Sequence, residues 1–183
     1  MNKKALSIIL TLTALLFSYF FLPQPKRVSQ KKIKISPTKT FKVSTSSARV
    51  VRVIDGDTIE LEDKQKLRYI GMDTPELHDP RKPVQCFAQE AYEKNKELVE
   101  GKVVILEKDV SEKDRYGRLL RYVYLPQQEK ETTSSGFMIN DYLVRQGFAH
   151  SVSYPPDIKY QEQFSSAQTE AREKNLGLWN LCK

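Results

Sequence analysis

Apolar positions along this chain fall into three regimes. Residues 5–22 form an uncharged, mostly apolar run of 18 residues. Residues 23–45 hold few apolar side chains and many Pro, Ser, Thr and Lys. From Ser46 onward, short β-branched runs alternate with turn signals, and later stretches switch to helical spacing.

The third regime predicts a specific order of elements. Arg49-Val50-Val51-Arg52-Val53-Ile54 reads as a strand, and Asp55-Gly56-Asp57 as a turn. Thr58–Leu61 alternates as a second strand. After Asp63-Lys64-Gln65, Lys66–Ile70 makes a third, giving an antiparallel meander. Val84–Val99 has helical character, with Phe87, Ala91, Leu98 and Val99 apolar and Gly101 just beyond as a stop. Val103–Leu106 and Leu119–Leu125 are the fourth and fifth strands, and Pro126–Gly136 is a long polar loop. Phe137–Gln146 suits a short helix closed by Gly147. Ile158–Lys174 suits a last helix with Phe164, Ala167 and Ala171 facing inward, and Leu178, Trp179 and Leu181 dock the tail. This order describes an α+β fold, a five-stranded OB-type barrel with three helices. An N-terminal hydrophobic helix (1–22) and a linker (23–45) precede the domain at 46–183.

Charge changes the picture in one respect. The chain carries a net charge of +7, which invites a polyanion as partner. Residues 1–45, however, contain nine Lys/Arg and no acid, leaving 21 basic against 23 acidic side chains in the rest, a net of −2. Phosphate binding by the domain therefore rests on a few placed arginines or a metal, not on bulk charge. The like-charged linker buries too little apolar surface to offset its ordering entropy and is expected to be an extended spacer.

The apolar run follows Asn2-Lys3-Lys4, as a targeting segment would. Its length sits at the lower end of the roughly 17–25 residues of a spanning helix and above the roughly 7–15 of a signal-peptide core. Phe20-Phe21-Leu22-Pro23 offers no small-residue cleavage site. An uncleaved signal-anchor, a cleaved signal peptide and a buried core helix all fit; the length favours the first. Lys26, Arg27, Lys31, Lys32 and Lys34 follow the run and pull the opposite way on topology. The two cysteines, Cys86 and Cys182, are either a disulfide pinning the C-terminus or two unrelated buried thiols. A disulfide implies an oxidising compartment. The expectation is an extracytoplasmic, monomeric protein, membrane-anchored or secreted.

Four segments place polar groups where strands end: Asp55-Gly56-Asp57-Thr58, Arg68, Asp73-Thr74-Pro75-Glu76 and Asp114-Arg115-Tyr116-Gly117-Arg118. Phosphodiester hydrolysis needs a base for water and a cation for the growing oxyanion charge. Carboxylate and carbonyl oxygens suit a hard cation such as calcium. Zinc is disfavoured, because His78 and His150 are the only histidines and no paired Cys/His spacing exists. Each segment also has a plain reading: a hairpin turn for Asp-Gly-Asp, a helix start for Asp73–Glu76, a surface ion pair for Arg68 and a turn for Tyr116-Gly117.

As a set, these segments resemble the staphylococcal nuclease (thermonuclease) family. The matching motifs are Val53-Ile54-Asp55-Gly56-Asp57-Thr58, Arg68 five residues before Asp73-Thr74-Pro75-Glu76, and Asp114-Arg115-Tyr116-Gly117-Arg118. Leu143-Val144-Arg145-Gln146-Gly147-Phe148-Ala149 and Leu176-Gly177-Leu178-Trp179 follow. The resemblance covers about residues 48–180. It implies a Ca2+-dependent endonuclease acting on DNA and RNA and leaving 3′-phosphates. Asp57 and Asp73 match its calcium-binding carboxylates, and Thr74 the residue lending a backbone carbonyl. Glu76 matches the proposed general base, Arg68 and Arg118 the phosphate-binding arginines, and Asp55 a carboxylate behind the metal. Tyr116 and Tyr154 are candidate substrate contacts. The chain departs from the family at His150-Ser151-Val152-Ser153-Tyr154-Pro155-Pro156, where Ser153 and Pro155 fall on the family's nucleotide-packing tyrosines. The Pro126–Gly136 loop is longer than in compact members, and the cysteine pair is an addition. The alternative is a non-catalytic OB module binding nucleic acid or protein.

Overall fold

A computed structural model describes residues 45–81, 83–126 and 136–182. The chain divides into two units, Met1–Thr40 and Phe41–Lys183, and the described residues belong to the second. The N-terminal helix, nearly all of the linker and most of the Pro126–Gly136 loop lie outside the described residues. No helix among the described residues is long and apolar enough to cross a membrane.

Strand β1 (Thr45–Asp55) is long enough to serve two partners. Its first half pairs antiparallel with β5 (Val103–Glu107), from Thr45 opposite Glu107 to Arg49 opposite Val103. Its second half pairs with β2 (Thr58–Leu61), from Val50 opposite Leu61 to Asp55 opposite Thr58, with register shifts at Val50/Arg52 and Val53/Asp55. Such irregularities bend a strand and increase its twist, as a closing sheet requires. Next come β3 (Lys66–Tyr69), antiparallel to β2, and β6 (Leu119–Leu125), antiparallel to β5. Parallel pairing of β3 with β6, Leu67 opposite Leu119, closes the five strands into a barrel.

Short pairs decorate the barrel: β4 (Met72–Asp73) with β8 (His150–Ser151), and β7 (Phe137–Met138) at the end of β6. Side chains of Val50, Val53, Ile59, Leu67, Val104 and Val123 fill the interior, each at most 2% exposed. Alternation along the strands selects most of these residues, and the register shift at Val50/Arg52 brings Val53, three positions after Val50, back to the inner face.

Helix α1 (Ala88–Val99) packs on β1 through a buried stripe of Ala88, Ala91, Asn95 and Val99. Asn95 lies on that stripe because it is fully satisfied: its Oδ1 accepts the Tyr69 hydroxyl at 2.9 Å, and its Nδ2 donates to the Asp55 carbonyl at 3.3 Å. Helix α2 (Ile139–Arg145) packs against α3 (Gln161–Glu173), and α4 (Leu178–Leu181) ends the chain. Phe164, Ala167 and Ala171 of α3 are buried, as their spacing predicts. Gly147 has φ +74 and an ideal Cβ there would lie 2.3 Å from the Leu176 carbonyl, so only glycine lets the tail cross. Leu178 N–H donates across this contact to the Gly147 carbonyl at 2.9 Å.

Three helix starts shift, one of them at Phe137, which with Met138 pairs on β6 as β7, so that the helix expected from Phe137 begins at Ile139. The helix predicted from Val84 starts at Ala88, because Phe87 adopts the left-handed conformation and stacks on Phe148. The last helix begins at Gln161 rather than Ile158, behind a turn containing the cis Pro155–Pro156 bond. Cys86 and Cys182 form a disulfide, with a Cα–Cα distance of 5.7 Å.

Candidate active site

The site is assembled at the β1–β2 hairpin. Glycine is needed at position 56, because a Cβ there would lie 2.7 Å from Thr74 Oγ1. That close approach lets Thr74 cover Asp57, which is 1% exposed. Asp57 Oδ2 accepts the Thr74 N–H and hydroxyl, both at 3.0 Å, and Oδ1 accepts the Thr58 hydroxyl at 2.9 Å. A buried carboxylate is tolerated only when paired and hydrogen-bonded, and Arg68 completes the set.

Arg68 lies on β3 opposite Thr58. One terminal nitrogen pairs with Asp57 and the other with Asp73 on β4. Burial works against its charge, but the two aspartates prevail and hold its pKa above the ordinary arginine value. One guanidinium thus gathers two carboxylates from separate strands.

Glu76 follows β4 without entering a helix, so the reading of Asp73–Glu76 as a helix start does not hold. Among the described residues its carboxylate has no hydrogen-bond partner. Burial raises its pKa above the ordinary glutamate value, and the fields of Asp55, Asp57 and Asp73 add to this against Arg68. Asp55 is raised for the same first reason, with Asp57 adding; its hydrogen bond from Gly56 N–H at 2.9 Å opposes the shift.

Arg118 arrives from the turn before β6. Asp114 organises this turn: its Oδ1 accepts the Tyr116 and Arg118 N–H groups at 2.9 and 3.0 Å, and its Oδ2 accepts Arg118 Nε at 2.7 Å. Burial would raise the Asp114 pKa, but these bonds outweigh it and hold the carboxyl below the ordinary aspartate value. Tyr116, 68% exposed, lies under the guanidinium groups of Arg115 and Arg118, at 4.8 and 5.4 Å.

These pieces meet at an open cleft of about 510 Å³, whose walls include Asp55, Thr58, Glu76 and Arg118. Arg68, Asp57 and Asp73 are not in its wall; Thr58, which is, donates its hydroxyl to Asp57 Oδ1 at 2.9 Å and so stands between cleft and cluster. Tyr154 does not line the cleft; it is 65% exposed and bridged to Asp157. Lys66, His78 and Arg81 also line the cleft and were not singled out from the sequence. Lys66 stands two residues before Arg68 on one strand and so shares its face, a relation that the strand's period alone carries. Arg81 lies in the loop after Glu76, where no periodicity reports orientation. Asn95, which holds the Asp55 carbonyl, carries no sequence signal beyond a polar residue on an apolar stripe.

Residues 66–181 match the family described as staphylococcal nuclease homologue. The chain belongs to the staphylococcal nuclease family. This nuclease is 41% identical over 135 residues to the thermonuclease of Staphylococcus hyicus, spanning 72% of this chain and 75% of that protein. It is 38% identical over 147 residues to the thermonuclease of Staphylococcus intermedius, spanning 76% and 82%. Endonuclease YncB of Bacillus subtilis (strain 168) is 37% identical over 134 residues, covering 70% of this chain and 59% of that protein. The barrel is the family's OB-type fold, and the chain is a hydrolase of the nuclease class.

Proposed function

We propose that this nuclease hydrolyses DNA and RNA in a calcium-dependent reaction that leaves 3′-phosphates and 5′-hydroxyls. The observation that carries the reading is the gathering of Asp57 and Asp73 by one guanidinium, beside a cleft walled by Glu76 and Arg118. The donor set tests the metal. Asp57 and Asp73 contribute hard oxygens whose charge Arg68 already offsets, an arrangement a hard dication also satisfies. Among the described residues no three acidic, His or Cys side chains gather as a metal cage. The ion would therefore take two carboxylates and the Thr74 carbonyl, with water and substrate oxygens filling a shell of about six to eight. When bound, it supplies Lewis-acid stabilisation of the phosphoryl oxygens.

The protein groups divide the remaining work. Glu76, whose carboxylate has no hydrogen-bond partner among the described residues and whose pKa is raised by burial, takes a proton from the attacking water. The oxygen of that water bonds to phosphorus as the bond to the 5′-oxygen breaks; the leaving oxygen takes a proton from solvent water, and Glu76 returns its own proton to solvent. Arg118 and Arg68 bind the phosphate and offset the charge that grows on its oxygens. Asp55 stands behind the metal ligands, and Tyr116 offers an exposed ring to the substrate. Tyr154 would contact substrate only from outside the cleft.

The reading places the enzyme beyond the cytoplasm, acting as a monomer. The charged start, the 18-residue apolar run and the Cys86–Cys182 bond support export, either tethered or released. Fractionation of expressing cells tests this, with nuclease confined to the cytosol as the contrary result. A calcium titration with DNA and RNA, followed by end-group analysis, tests the chemistry. Cleavage is expected to vanish on chelation. Glu76→Ala and Arg118→Ala are each expected to lower turnover by orders of magnitude with the fold intact, and unaltered turnover in both would remove these roles.

A further inference from the structure

Glu76 is held in place by the chain that follows it. Its N–H donates to Gln85 Oε1 at 2.9 Å, and its carbonyl accepts the Gln85 N–H at 3.1 Å. One residue thus closes the loop from 76 to 85 with both backbone and side chain. Between these ends the described residues contain no helix or strand; Arg81 donates to Asp79 within the loop, and His78 meets Tyr92 of α1 edge-on at 6.0 Å. Gln85 is exposed, and its hydrogen bonds compete with water. The restraint next to them is covalent: Cys86 is bonded to Cys182, 96 residues away in sequence.

The tail carrying Cys182 also reaches the other acidic arm. Cys182 N–H donates to the Leu178 carbonyl at 3.0 Å. Trp179, in the same short helix, meets His150 edge-on at 5.0 Å, and His150 is the strand partner of Asp73. One segment at the C-terminus therefore touches the neighbour of Asp73 and is bonded to the neighbour of Gln85.

We propose that Gln85 and the Cys86–Cys182 crosslink are positioning residues for Glu76, so that the redox state of the crosslink sets turnover. The inference rests on the reading of Glu76 as the base. Cys86 is exposed, so a small dithiol can reach it. The S–S bond takes two electrons and two protons and becomes two thiols; the dithiol loses the same and closes to its own cyclic disulfide. Release of Cys86 removes the covalent restraint beside Gln85 and leaves the far end of the Glu76 loop held by exposed hydrogen bonds and by the stacking of Phe87 on Phe148. A base misplaced by about 1 Å costs up to roughly a hundredfold in rate. The arginines that bind phosphate are carried by β3 and by the turn before β6, not by this loop, so substrate binding should survive.

The test is steady-state kinetics on the full-length protein, oxidised and dithiol-reduced, well below its melting temperature, with circular dichroism confirming the fold. On reduction kcat is expected to fall about ten- to hundredfold while KM changes less than about twofold. An unchanged kcat in folded, reduced protein would assign the crosslink to stability alone and overturn the proposal. If reduction unfolds the chain, Gln85→Ala with the crosslink intact decides. That variant is expected to lose kcat in the same way, and Gln85→Glu, which keeps the acceptor oxygen, to recover it. Full turnover in Gln85→Ala overturns the proposal. Glu76→Ala separates the two readings. Reduction of that variant should leave its residual kcat unchanged, because the group being positioned is gone. The same fold-loss as in wild type would overturn positioning of Glu76. Wild-type turnover in Glu76→Ala would instead overturn the role of Glu76 itself.

Discussion

Asp55 and Glu76 illustrate a conflict between stability and function within single residues. Burial raises both carboxyl pKa values, and neighbouring aspartates add to it. The sign follows from linkage. A carboxyl whose folded pKa lies above its unfolded value favours the fold while protonated. That contribution is present below the unfolded pKa and is lost as pH rises through the folded one. At neutral pH both ionised groups therefore destabilise the metal-free protein. Asp55→Asn keeps an oxygen for the Gly56 N–H and removes the charge. It is expected to raise the Tm of metal-free protein at pH 7, and the gain should disappear below about pH 4, near the ordinary aspartate value. Calorimetry at the two pH values checks this, and a lower Tm at pH 7 would refute the charge argument. Asp114 behaves oppositely. Its lowered pKa contributes stability above the unfolded value, which is lost as pH falls through the folded one.

At the scale of elements, the β1–β2 hairpin and β4 act as one unit because Thr74 sits over Gly56. A methyl group at position 56 must displace the Thr74 side chain, whose Oγ1, Cβ and Cγ2 would lie 2.7–2.8 Å away. Gly56→Ala is thus expected to loosen the two Thr74–Asp57 hydrogen bonds, weaken calcium binding and lower kcat at least tenfold, the order of about 1.4 kcal/mol. Isothermal titration with calcium and a rate assay check it; unaltered affinity would show that the contact is not coupled to the site. This coupling also shows what the sequence could report. The β-branched run Arg49–Ile54, the alternation in Thr58–Leu61 and the turn signals on either side of it identify the meander. Two-residue pairings such as β4 with β8 escaped, since two residues have no period. The helix start at Ala88 rather than Val84 escaped because stacking of Phe87 on Phe148 and the crosslink at Cys86 fix the chain there. The candidate residues were legible as a motif with fixed spacing. Lys66 and Arg81 in the cleft wall, and Asn95 behind Asp55, depend on where distant elements meet.

Across the whole molecule, closure is achieved twice, once by hydrogen bonds and once by a covalent bond. Parallel pairing of β3 with β6 joins segments some fifty residues apart and shuts the barrel. The disulfide joins Cys86 at the entrance to α1 with Cys182 at the end of α4. A crosslink across 96 residues removes much of the freedom of the unfolded chain. The chain-entropy view gives about 4–5 kcal/mol for such a loop, and disulfides in practice contribute about 2–4. For a domain of this size, each kcal/mol moves Tm by roughly 2–4 °C near the transition. Reduction, or Cys86→Ser with Cys182→Ser, is therefore expected to lower Tm by roughly 5–15 °C. The tail holds other contacts after the bond is cut: Leu178 N–H to the Gly147 carbonyl, and Trp179 against His150 and Arg172. These keep α4 docked, so the loss should appear as a lower Tm with native circular dichroism at 20 °C. Differential scanning calorimetry on oxidised and reduced protein checks this. Equal melting would mean that the unfolded chain gains nothing from release of the bond.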